Sequence, residues 1–134
     1  MLFRSPVGEA LVLGKIAAIE WEQGHFQEAR LGYMSVCTRY RQYSPRYLPG
    51  ALADLGLVQL EQGRLDQARA CLLETLELCQ KNGDREVEAQ ARLGLGRLRR
   101  EQGRYAEAGD NYAEALRIYR ELGNRRQEGL PNSR

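Results

Sequence analysis

The chain is poor in the residues from which reactive sites are usually built. It holds one histidine, one tryptophan, two phenylalanines and three cysteines among 134 residues. With His25 alone, no Ser-His-Asp set can be proposed. With no Cys-x-x-Cys pair, there is no ligand spacing for zinc either. Cys37, Cys71 and Cys79 are odd in number. Cys71 and Cys79 on one helix would lie roughly 12 Å apart along its axis, beyond the reach of a disulfide. Free, buried thiols in a reducing compartment are expected. Long apolar runs are also missing. The stretch Ala10 to Gly14 is closed by Glu9 and Lys15, far short of the roughly 20 residues of a membrane span. It does not have the form of a secretory signal, so a cytoplasmic chain away from membranes is expected. The net charge of +2 supplies no strong field for nucleic acid or acidic lipid. No cofactor motif is present: Gly94-Leu95-Gly96-Arg97 lacks the third glycine and the preceding strand of a dinucleotide loop. An enzyme is therefore not expected.

What the chain does have is repetition. Glu22-Gln23-Gly24-His25-Phe26, Glu61-Gln62-Gly63-Arg64-Leu65 and Glu101-Gln102-Gly103-Arg104-Tyr105 place their glycines 39 and 40 residues apart. A period of that length marks stacked structural repeats. Helix-start signals recur at the same interval. They are Ser5-Pro6, Ser44-Pro45, Asp84-Arg85 and Asn124-Arg125, the last two each preceded by glycine. Serine, aspartate and asparagine cap helices, proline suits the first helical position, and glycine ends the helix before.

Apolar residues between these signals recur at three and four residue spacing, as in Leu65, Ala68, Leu72, Leu76 and Cys79. That is the period of an amphipathic helix. The pattern predicts first helices over 6–22, 47–62 and 85–101, and second helices over 25–41, 65–81 and 105–122. Pro49 removes a backbone donor, so the second of the first helices should begin near Leu48. Three units result, about 5–43, 44–83 and 84–123, with a tail over 124–134. Apolar residues at 43% and charged residues at 28% suit one soluble domain. Small residues recur within the units: Ala17, Gly56 and Gly96 in the first helices, and Ala29, Ala68 and Ala108 in the second. They should let paired helices approach closely, because an interior glycine otherwise costs about 0.5–1 kcal/mol relative to alanine.

Leu55-Gly56 and Leu95-Gly96, the turn glycines Gly63 and Gly103, then Leu65 and Tyr105, Ala68 and Ala108, Leu72 and Tyr112 form a motif that resembles the tetratricopeptide repeat. The first unit fits through Ile16-Ala17, Gly24, Phe26, Ala29 and Tyr33. The spacing exceeds the usual period of about 34. It is similar to the longer variant of bacterial signalling ATPases and transcription regulators. The resemblance implies an all-α, right-handed α-solenoid of three helix-turn-helix units with a truncated fourth. It implies a non-catalytic module that binds a peptide or helix of a protein partner in a concave groove. The alternative is a regulatory or oligomerisation segment of a larger signalling or transcription regulator.

Mapped onto this chain, the family's groove positions include Lys15, Trp21, Asp54, Leu60, Arg97 and Arg100. Trp21 is a candidate anchor, since interface hot spots favour tryptophan and arginine; it could instead simply cover a neighbouring helix. Arg97 and Arg100 could receive an acidic segment, or belong to an ordinary solvated face with local pairs such as Glu88 to Arg92. The carboxylate clamp of some members is absent, its places being taken by Gly14, Ala18, Ala53 and Leu57. At the C-terminal end, a fourth first-type helix should start at Asn124 and stop at Pro131. Without a full capping helix, Tyr112, Leu116 and Tyr119 should form a bare edge. Homo-oligomerisation through that edge, or continuation into a longer array, is expected.

Overall fold

The computed structural model describes residues 5–127, with side chains to 124, as an all-helical stack. In chain order the α-helices are α1 (Pro6–Glu22), α2 (Phe26–Tyr43), α3 (Leu48–Glu61), α4 (Leu65–Asn82), α5 (Arg85–Glu101) and α6 (Tyr105–Gln127). Each packs on its neighbours in sequence, and α3 also meets α5. The helices therefore pair as α1/α2, α3/α4 and α5/α6, and the pairs stack as a helical-repeat solenoid.

The three Glu-Gln-Gly turns are one structure made three times. Gly24, Gly63 and Gly103 have φ of 81°, 72° and 78°, a region open to glycine at little cost. The residue after each glycine closes the turn. His25, Arg64 and Arg104 donate their backbone N–H to the carbonyls of Glu20, Gln59 and Arg99, each at 2.8 Å. These bonds satisfy carbonyls that a helix end leaves free.

Two of the expected caps form. Ser5 Oγ accepts from the Gly8 N–H at 3.0 Å, and Asp84 Oδ1 accepts from the Val87 N–H at 3.2 Å. Ser44 makes no side-chain cap. A turn of 3-10 helix over Pro45–Tyr47 intervenes, and α3 begins at Leu48, where Pro49 places it. The break expected at Gly123 is not there: α6 continues through Gly123 and Asn124 to Gln127. Glycine accepts helical φ as well as positive φ. Leu122 keeps this last stretch seated, since it is buried with Ile118 and Ala89. Gly83, by contrast, takes φ 76° and ends α4. Pro131, expected to stop a fourth first-type helix, lies outside the described residues.

The core runs along the stack. Leu72 on α4 is fully buried and wedges between two helices: a Cβ on Gly56 of α3 would lie 3.0 Å from it, and one on Gly94 of α5 2.9 Å. Ala29, Ala68 and Ala108 are all buried. The small residues thus serve close helix approach, as their spacing predicts.

Candidate functional site

A cleft opens where α1, α2 and α3 meet. It consists of two hollows of about 230 Å³ and 500 Å³ that share Ala18, Tyr33 and Asp54 as lining. Lys15 lies at one end; Trp21, Glu22, Phe26 and Glu61 line the other. One helical period brings Lys15, Ala18 and Glu22 to a single face of α1, since residues three and four apart are neighbours on a helix. Asp54 is placed opposite by α3, one repeat later.

Trp21 is half-buried and meets Tyr33 edge to face, with ring centroids 6.2 Å apart and planes at 84°. This is a favoured aromatic geometry. Trp21 therefore both covers the neighbouring helix and lines the cleft. Tyr33 is buried, and its phenol is pushed up to about 12, first by burial and then by the negative charges of Asp54 and Glu22.

Asp54 is the electrostatic focus of the cleft. Burial raises its carboxyl from the ordinary 3.8 to about 6, because a low-dielectric site penalises the charged form. Among the described residues it has no hydrogen bond and no ion pair. Glu61, on the same cleft wall, is engaged: Arg97 Nη1 donates to its Oε1 at 2.6 Å. Arg97 Nε also reaches Glu101 Oε1 at 3.3 Å, so Arg97 ties α3 to α5 and is already neutralised.

The structure thus gathers Lys15, Trp21 and Asp54 into one cleft and connects Arg97 to it through Glu61. Arg100 is exposed on α5 and lines neither hollow. Leu60, a groove position by family pattern, is instead buried in the core with Leu98. The local pair expected between Glu88 and Arg92 is not made. Glu88 binds Arg85 at 2.7 Å, while Arg92 Nε is buried without a hydrogen-bond partner. Tyr33 was legible only as a bulky helix-packing residue, since its motif position is shared with Leu72 and Tyr112; its place at the cleft depends on how α1 crosses α2. At the other end of the stack, Tyr112 is half-buried with its ring against Gly96, so it packs α6 onto α5. Leu116 and Tyr119 are exposed. Among the described residues there is no cluster of three or more potential metal ligands, and no helix is long and apolar enough to cross a membrane.

Stacked helix pairs with glycine turns, small interior residues and a cleft lined by the first helices define a helical-repeat scaffold. The model of one such family, described as tetratricopeptide repeat, matches residues 48–121. The chain belongs to the tetratricopeptide repeat family, whose repeats mediate protein–protein interaction. No curated protein matches the chain in sequence.

Proposed function

We propose that the cleft of the first two units binds a peptide or helix of a protein partner that presents an apolar side chain beside a basic one. Asp54 carries this reading. It is a half-buried carboxylate at the cleft, raised by burial and without a cation of its own, next to an aromatic pair. Such a group costs stability in the free protein and is compensated when a partner brings a charge-assisted hydrogen bond. Trp21 supplies the apolar contact, and Lys15 at the far end offers a point for an acidic or carbonyl group of the same partner. Arg97 acts indirectly by holding Glu61 in place, and Arg100 remains a peripheral contact. No catalytic step is part of this reading.

Selection of a displayed random-peptide library on the folded chain tests it. Recovered peptides should combine a basic residue with an aromatic or large aliphatic one. Their affinity should fall about tenfold or more with Trp21→Ala or Asp54→Asn, as for interface anchors. Binding should also weaken as pH falls below 6, where Asp54 protonates. Equal binding by wild type and both variants would refute the assignment.

A further inference from the structure

The two ends of the stack present complementary halves of a junction that the chain builds twice internally. On α1, Val12, Ile16 and Ile19 form a stripe at four and three residue spacing, 57%, 48% and 54% exposed. One repeat later the same places hold Ala51, Leu55 and Val58, and two repeats later Ala91, Leu95 and Leu98. Those six are at most 7% exposed. They are covered by the preceding second helix: α2 covers the first set through Tyr33, Cys37 and flanking Phe26 and Tyr40, and α4 covers the second through Leu72, Leu76 and flanking Leu65.

The other half of that junction lies bare on α6. Tyr105, Leu116 and Tyr119 are 72%, 48% and 38% exposed. They occupy the places of Phe26, Cys37 and Tyr40 in the first unit, and of Leu65, Leu76 and Cys79 in the second. Not every apolar residue at the surface behaves this way. Met34 is exposed on α2, and so is its equivalent Leu73 on α4, even though a further helix pair follows each of these helices. The two end stripes differ because their equivalents are buried or half-buried wherever a neighbouring unit is present: the α1 equivalents fully, and the α6 equivalents as buried Cys37, Leu76 and Cys79 with half-buried Phe26, Tyr40 and Leu65.

We propose that copies of this chain associate head to tail, α6 of one copy seated on the Val12–Ile16–Ile19 stripe of α1 of the next, in the manner of the internal α2–α3 and α4–α5 junctions. The chain itself specifies the occupant, since it already pairs these two kinds of surface twice. Such a contact is heterologous: each copy keeps one free face, so association proceeds to chains or rings and not to closed two-fold dimers.

Sedimentation velocity over a concentration series, with Ile16→Glu and Leu116→Glu, tests this. Both side chains are about half exposed, so circular dichroism should show an unchanged helical fold. Wild type should associate beyond the dimer. Each variant alone should be weakened on the order of 30-fold or more, as for a hot-spot residue. An equimolar mixture should give a 1:1 dimer, because the intact α6 of the Ile16→Glu chain meets the intact α1 of the Leu116→Glu chain. A wild type that stays monomeric at the highest attainable concentration would overturn the proposal and assign these faces to other helices. So would an Ile16→Glu chain that still self-associates, which would mean α6-to-α6 pairing.

Discussion

A Cβ added to Gly96 on α5 would lie 2.6 Å from Cε1 of Tyr112 on α6. The ring therefore lies where any larger residue's side chain would begin, and α5 and α6 pack as closely as they do because position 96 has no side chain. Gly109 on α6 offers the opposite case, with nothing within 4 Å of its added Cβ.

Gly96→Ala should destabilise the protein by about 1–3 kcal/mol, the usual effect of overpacking a well-filled interior. That holds although alanine is the better helix former. Gly109→Ala should stabilise it by about 0.5–1 kcal/mol through helix propensity alone. Urea unfolding followed by circular dichroism reads both. Equal shifts of the same sign would mean that contact with Tyr112 does not govern the site.

The Asp54 carboxyl is raised to about 6. Between an unfolded value near 3.8 and about 6, the folded state binds more protons than the unfolded state, so this group makes stability fall as pH rises through that window. Above it the full penalty is present. Asp54→Asn should therefore be more stable than wild type above about pH 7, by about 1–3 kcal/mol at 1.36 kcal/mol per pKa unit. The difference should shrink toward zero below about pH 4. Denaturant midpoints across pH would show it; a pH-independent difference would contradict the burial effect.

Burial also pushes Cys37 and Cys79 up to about 12 and raises Cys71. The thiolate is the reactive form. In the native protein all three should react with a disulfide reagent at mildly alkaline pH on the order of 100-fold more slowly than in denaturant. Rapid native reaction of Cys37 or Cys79, followed by mass spectrometry, would show that the helices around them open readily.

Much of the architecture was open to inference from local signals. The turn glycines at a period of 39 and 40 recur because each turn needs one positive-φ residue. Ser5 and Asp84 could be read as caps because their bonds span three residues. Ser44 looked the same but makes no cap, and Gly123 resembled Gly83 but stays helical. In both cases the competing influence is tertiary: the 3-10 turn before α3 and the seating of Leu122 on α5 are not encoded within a few residues.

The site was legible in outline only. Family spacing pointed to Lys15, Trp21 and Asp54, and the fold brings them to one cleft. Pattern could not foretell that Arg97 is neutralised by Glu61, 36 residues away. Nor could it show that Tyr33 packs against Trp21 or that Leu60 is buried.

By itself, the sequence determined that this is a repeat protein of paired helices, because periodicity, caps and turn glycines act over distances of a few residues. The tertiary structure alone decided which charges remain unpaired, which aromatic rings face the cleft, and that α1 and α6 carry matching bare stripes. Burial and ion pairing depend on which helices meet, and that is a property of the stack as a whole.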